Sequence, residues 1–231
     1  MRLTGAEAHH CVDVMRMKAG DQATVFNGQG GAAEIEIISA RRDNVECRLL
    51  RLIETPPPPC QITLAQAIPK GKNMELVIEK ATELGASALV PLLTDRTIVR
   101  LDAGDAERKR EKWQRVALEA AKQCGQNRVP QIALPQTPKA FFEAASAFDL
   151  MLIGSLEPDA RPLKTLLGQR SENRVAHALI LIGPEGDFTP AEMAQAKAHG
   201  CRPITFGPII LRTETAAIYC LSILSHELRS S

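Results

Sequence analysis

The sequence predicts an α/β protein in which a small, mostly β domain precedes a larger domain built on a mostly parallel sheet covered by helices. Three observations predict this. Four prolines at 56–59 hold the backbone extended, cannot donate to a sheet ladder and cannot continue a helix, so they mark a linker between domains at 1–56 and 60–231. Before them lie three strand-like runs, at 23–26, 32–38 and 44–53, separated by turn-rich segments. After them, apolar strand-like runs alternate with helical ones, the signature of a parallel sheet with helices on its faces.

In the first domain, Asn27-Gly28-Gln29-Gly30-Gly31 and Arg41-Arg42-Asp43-Asn44 supply the turns, so the strands read as a small barrel-like sheet. In the second, strands are expected at 62–67, 88–93, 131–134, 149–153, 178–182 and 202–206. Helices are expected near 72–84, 104–124, 138–146, 161–168, 189–199 and 214–228. The fifth helix has the best-marked ends: Thr189 to cap, Pro190 at the first helical position, Glu192 to complete a capping box and Gly200 to stop it.

Composition restricts the function classes. A 231-residue chain that is 45% apolar can bury a substantial core. Six cysteines without a Cys-x-x-Cys pair, and five histidines not interleaved with them, argue for reduced, buried thiols in a cytoplasmic protein and against a metal centre. No amino-terminal apolar stretch or run of membrane-spanning length is present, so a soluble, unsecreted protein is expected. Net charge is +1, distributed as −1 over residues 1–60, +3 over 61–130 and −1 over 131–231. Any polyanion contact therefore leans on the middle segment. Within it, Arg108, Lys109, Arg110, Lys112 and Arg115 alternate with Asp105, Glu107 and Glu111, which reads as a solvated helix face.

The chemistry is expected in two glycine-proline loops, each directly after an apolar strand. They are Ile182-Gly183-Pro184-Glu185-Gly186-Asp187-Phe188 and Phe206-Gly207-Pro208-Ile209-Ile210-Leu211-Arg212-Thr213-Glu214-Thr215-Ala216. Ligands of open α/β sheets bind at the carboxyl ends of strands, where these loops lie. Glycine permits close backbone approach and proline stiffens the turn. Neither Gly-x-Gly-x-x-Gly nor Gly-x-x-x-x-Gly-Lys-Ser/Thr occurs, so the usual phosphate cradles are missing. A phosphate-free nucleoside fits better, with apolar walls from Ile182, Ile209, Ile210 and Leu211 and Glu185 facing a cationic group.

These two loops, with Pro69-Lys70-Gly71-Lys72, Glu79-Lys80-Ala81-Thr82-Glu83-Leu84-Gly85, Glu119-Ala120-Ala121-Lys122-Gln123, His9-His10 and Met15-Arg16, resemble the RsmE family of ribosomal RNA methyltransferases. The motifs occur in the family's order over nearly the whole chain. The resemblance implies methylation of N3 of one uridine in small-subunit (16S) ribosomal RNA with S-adenosylmethionine as donor. It also implies a PUA-like β-barrel followed by a SPOUT-class domain whose carboxy-terminal chain is threaded into a trefoil knot, homodimers, and a substrate in the assembled small subunit. One departure is visible: Asp187 stands where many relatives have a second glycine.

Given that reading, Arg212 is expected to stabilise charge on the uracil carbonyls at a helix amino terminus. Glu185, Glu214 and water remain open as proton acceptors. Cofactor contacts are expected from Ile153, Gly154, Ile182, Gly183, Glu185, Gly186, Gly207, Ile209, Leu211 and Ala216, while Thr213 and Thr215 either cap the last helix or touch the ligand. RNA contacts are expected from Arg2, His9, His10, Arg16, Lys18 and Asn27 in the first domain and from Lys70, Lys72, Arg96 and Arg100 in the second. With aromatics at 3%, recognition should rest on phosphates and RNA shape rather than stacking. The alternatives are a SPOUT enzyme acting on another RNA, and an RNA-binding protein with a decayed pocket.

Overall fold

The computed structural model describes residues 1–144, 148–169 and 174–229. The chain forms two compact units, Met1–Pro57 and Pro58–Ser231, which meet within the proline tract.

In the first unit, β1 (Arg2–Thr4), β2 (Gln22–Phe26), β3 (Gly31–Arg41) and β4 (Asn44–Glu54) form an antiparallel sheet in the order β1-β4-β3-β2. The Asn27 carboxamide oxygen shapes the β2–β3 turn, accepting from the amides of Gln29 (2.8 Å) and Gly31 (3.0 Å). Register shifts along β3–β4 bend the sheet, as β-bulges do. Instead of pairing β1 with β2, the unit fills its interior with α1 (Gly5–His9) and a π-helical turn (His10–Val14). Their Ala8 and Cys11 pack with fully buried Ile35, Ile37 and Val45. The sequence pattern does not reveal β1, α1 or the π turn, because segments of three to five residues are too short to display a period.

The second unit is a seven-stranded parallel sheet in the order β7-β6-β5-β10-β8-β11-β9. Its strands are β5 (Gln61–Ala67), β6 (Ala88–Leu92), β7 (Gln131–Ile132), β8 (Leu150–Gly154), β9 (Arg161–Pro162), β10 (His177–Ile182) and β11 (Arg202–Thr205). The helices are α2 (Asn73–Glu83), α3 (Ala103–Cys124), α4 (Pro138–Ala144), α5 (Leu163–Gly168), α6 (Pro190–Ala198) and α7 (Thr213–Arg229). Strands buried on both faces need continuous apolar runs, and central β10 supplies one in Ala-Leu-Ile-Leu-Ile. One face of the sheet packs on α2, α3, α5 and α7, and the other on α4 and α6. Of the sequence-predicted elements, the helix at 138–146 ends at Ala144 in the described residues; positions 145 and 146 lie outside them. The two-residue strand β9 carries no sequence signal.

The expected capping box is present: Thr189 accepts from the Glu192 amide, and the Glu192 carboxylate accepts from the Thr189 amide at 2.9 Å. That carboxylate, nearly buried, also accepts from the Asp95 amide at 2.9 Å and so ties α6 to the segment after β6. Removing it orphans two amides at once. Glu192→Ala should therefore cost about 2–4 kcal/mol, against about 1 kcal/mol for Thr189→Ala, read as the difference in denaturation midpoints. Equal losses would show that only the cap matters.

On α3, Arg108 pairs with Asp105 at 2.5 Å, Arg110 pairs with Glu107, and Lys112 reaches Glu75 of α2 at 2.5 Å, the solvated, charge-laced face expected from the sequence. None of the six cysteines is in a disulfide, and five are buried. Burial pushes the Cys201 thiol up to about 12 and the Cys220 thiol up as well, so both stay protonated and unreactive. Among the described residues no helix is long and apolar enough to cross a membrane, and no cluster of side chains could hold a metal ion.

Candidate active site

The order β10-β8-β11 brings three strand ends that are far apart in sequence to one edge of the sheet. Because the strands are parallel, their carboxyl ends share that edge, and the loops leaving them enclose a cavity of about 470 Å³. The β8 end contributes Gly154, Ser155 and Leu156; the β10 end contributes Ile182, Gly183, Pro184, Glu185 and Asp187. The segment after β11 contributes Phe206 and residues 209–214, with Thr205, Ala216 and Asn73 completing the lining.

Of the residues expected from sequence, Gly154, Ile182, Gly183, Glu185, Ile209, Leu211, Arg212, Thr213, Glu214 and Ala216 line this cavity. Ile153, Gly186, Gly207 and Thr215 do not. Side chains alternate along a strand, so Ile153 points into the α4/α6 core while Gly154 borders the cavity. Gly186 is exposed and its carbonyl accepts from Arg96, and Thr215 lies on the exposed side of α7. Gly207, at φ +123°, instead makes the turn after β11, where its carbonyl and amide bond the Thr205 hydroxyl (3.2 and 3.4 Å).

Missing side chains make room. A Cβ at Gly154 would lie 3.2 Å from the Phe206 ring and 3.5 Å from Ile182, and one at Gly183 would lie 3.2 Å from Asp187 and Phe188. Asp187, the departure from glycine noted in the sequence, adopts a left-handed conformation at φ +63°, which aspartate tolerates through local hydrogen bonds. Its Oδ1 accepts from the Phe188 amide at 2.8 Å and its Oδ2 from the Leu156 amide at 3.3 Å, joining the β10 and β8 loops. Glu185 Oε1 accepts from the Lys70 amide at 3.0 Å, and Arg96 donates to the carbonyls of Gly186 and Phe188. Two residues read from sequence as ligand-facing and RNA-facing thus also brace the loop.

The third wall is set by the head of α7. The Arg212 carbonyl accepts the helix's first hydrogen bond, from the Ala216 amide at 2.8 Å, and its exposed guanidinium has no partner among the described residues. No ion pair joins it to Glu214 there. Thr213 does not cap: its buried hydroxyl donates to the Gly183 carbonyl at 2.6 Å and accepts from Gln66 Nε2 at 3.0 Å.

Residues 56–225 match the family described as an RNA methyltransferase domain, and residues 3–50 match the RNA methyltransferase PUA domain. Ribosomal RNA small subunit methyltransferase E of Bacillus subtilis is 34% identical, over 97% of this chain and 89% of its own length. The chain belongs to the RsmE family.

Solved structures agree with that membership. The RsmE enzyme of Neisseria gonorrhoeae, determined with S-adenosyl methionine, is 28% identical with a TM-score of 0.86, covering 98% of this chain and 91% of that one. A Legionella pneumophila methyltransferase, determined with the cofactor SAM, is 33% identical with a TM-score of 0.86, covering 97% and 90%.

The cationic residues expected to meet RNA are mostly exposed in this RsmE-family chain. Arg2 lies 3.6 Å from Glu46, His9 pairs with Asp13, and Arg16 is exposed in a left-handed conformation at φ +54°. Lys18, Lys70, Lys72 and Arg100 are exposed, whereas His10 is half-buried and the Asn27 carboxamide is occupied in its own turn. Sequence reasoning missed Asn73, Ser155, Leu156, Thr205 and Phe206 as lining residues, and Gln66 beneath them. The adjacency of β8, β10 and β11 places them, and no local motif marks it.

Proposed function

We propose that this protein methylates N3 of a uridine in small-subunit (16S) ribosomal RNA, using S-adenosylmethionine bound in the cavity at the ends of β8, β10 and β11. The observation that carries the reading is the cavity itself. Its size falls in the range of small-molecule sites, roughly 300–1,000 Å³. It combines close backbone approach at Gly154 and Gly183 with apolar walls and three carboxylates, Glu185, Asp187 and Glu214, and it has no phosphate cradle. A nucleoside carrying positive charge matches that set: Ile182, Phe206 and Leu211 face its apolar surfaces, and Glu185 and Asp187 face its ammonium and sulfonium charges.

When bound, S-adenosylmethionine supplies an electrophilic methyl group on a sulfonium centre. The protein has two remaining tasks, to hold the uracil in line and to manage its N3 proton. Loss of that proton spreads negative charge onto the flanking carbonyl oxygens. Arg212, unpaired and next to the amino terminus of α7, stabilises that charge. Glu214 has no hydrogen bond among the described residues, whereas Glu185 is held by the Lys70 amide; Glu214 therefore takes the proton. Exposed Ile209 and Ile210 screen the reacting atoms from water once RNA is seated.

RNA is gripped by the exposed cations Arg2, Arg16 and Lys18 of the first unit and Lys70, Lys72 and Arg100 of the second. Binding to the small subunit should weaken by roughly 10²-fold between 50 and 200 mM salt, as about four neutralised phosphates imply. Filter binding that stays constant over that range would refute this footprint. The protein acts as a homodimer on the assembled subunit in the cytoplasm, and its carboxy-terminal segment is threaded as a knot, as the family resemblance implies. Isothermal titration tests the donor site: one S-adenosylmethionine per chain supports the reading, and no heat at millimolar donor refutes it.

A further inference from the structure

We propose that Gln66 is a positioning residue for methyl transfer, acting from beneath the cavity by fixing the direction of the Thr213 hydroxyl and so joining the Gly183 loop to the head of α7. The proposal rests on the donor-and-uridine reading above. Gln66 is fully buried near the end of β5, with Ile182 and Pro91 as its neighbours on the flanking strands. Its Nε2 donates to the Ala67 carbonyl at 2.9 Å, and a carbonyl can only accept, so the amide's orientation is fixed. The same nitrogen donates to Thr213 Oγ1, 147 residues further along the chain.

A hydroxyl has one proton. With a lone pair of Thr213 Oγ1 taken by Gln66, the proton is directed to the Gly183 carbonyl, 2.6 Å away. Were the amide reversed, that proton would go to Gln66 and the Gly183 carbonyl would face only lone pairs. Gly183 and Thr213 both border the cavity, and Arg212 immediately precedes Thr213. The orientation of one buried amide therefore sets the register between the cofactor loop and the arginine.

The remaining atom, Gln66 Oε1, is buried with no hydrogen-bond partner. An orphaned acceptor in the interior destabilises a fold, and an unbranched apolar side chain would fill the same slot without it. The two hydrogen bonds from Nε2 offset that cost, so the amide brings little net stability; what it adds is the direction it imposes on Thr213.

Gln66→Met is the direct test, because it keeps the length while removing the donor and the orphaned acceptor, whose effects on stability have opposite sign. The melting temperature should stay within a few degrees of the parent, and affinity for S-adenosylmethionine should stay close to it by calorimetry. Turnover on unmodified small subunits at saturating donor should fall roughly tenfold to a hundredfold, as a misplacement of about an ångström produces. Thr213→Val should lose turnover comparably, the double variant should be no worse than either single one, and Thr213→Ser should retain more than Thr213→Val. Parental turnover in Gln66→Met, or losses that track melting temperature and add in the double variant, would overturn the proposal. An inactive parent protein would instead overturn the underlying functional reading.

Discussion

Arg212→Ala should lower turnover of uridine methylation by about 10²–10³-fold, the usual loss when one donor to a developing oxyanion is removed. Binding of S-adenosylmethionine should change far less. The guanidinium is exposed and unpaired among the described residues, so its removal breaks no structural ion pair and leaves the hydrogen bond from the Ala216 amide to the Arg212 carbonyl in place. The loss belongs to the transition state rather than to the fold. Arg212→Lys, which keeps charge but not the planar fork, should recover part of the rate. Donor titration and single-turnover kinetics on the same preparation separate the two effects. Disappearance of donor binding while the substrate still reacts at saturating donor would show that Arg212 serves the cofactor and not the uracil.

Gly154→Val should weaken S-adenosylmethionine binding by roughly tenfold to a hundredfold, as about 1–3 kcal/mol of overpacking implies. A Cβ at this position already meets the Phe206 ring at 3.2 Å and Ile182 at 3.5 Å, and two further methyl groups must go into the cavity or displace its walls. Gly154→Ala, with only the Cβ, should fall between valine and the parent. The melting temperature distinguishes a filled site from a damaged sheet, because Gly154 is the last residue of β8, paired with Ile204 of β11, and the Ser155 amide after it still bonds the Ile204 carbonyl at 2.9 Å. Donor affinity that is unchanged in the valine variant would place the ligand elsewhere on the sheet edge.

The architecture was readable because its strands announce themselves. The run at 178–182 is apolar without interruption, as a strand buried on both faces must be, and the proline tract marks where one kind of pattern gives way to another. Sequence gave no order of strands. It named the two glycine-proline loops, but whether they share a wall depends on β8 lying between β10 and β11, which also brings in Ser155, Leu156 and Phe206. Ile153 and Gly154 are both expected at the pocket from sequence; the register sets Gly154 on its border and turns the Ile153 side chain into the α4/α6 core.

Charge was legible as an amount and not as a direction. Arg96 counts as a cation toward RNA, yet its guanidinium reaches the carbonyls of Gly186 and Phe188 and stiffens the loop after β10. Glu185 likewise spends one oxygen on the Lys70 amide, which leaves Glu214 the freer carboxylate among the described residues. Asp187 shows the reverse case. The sequence flags it as a departure from glycine, and the structure places it at a positive φ, with the carboxylate adding a link to Leu156 that glycine lacks.

The central claim, methyl transfer to a uridine of small-subunit RNA from a donor held at the ends of β8, β10 and β11, is tested most directly by mass mapping. Small-subunit RNA from cells lacking the gene is incubated with the purified protein and isotopically labelled S-adenosylmethionine, then digested and mapped. The account predicts one labelled 3-methyluridine per 16S RNA, absent before addition and absent with Arg212→Ala over the same time. Label on a ribose hydroxyl or another base, or unlabelled RNA with an Arg212-intact protein that binds the donor, would contradict it.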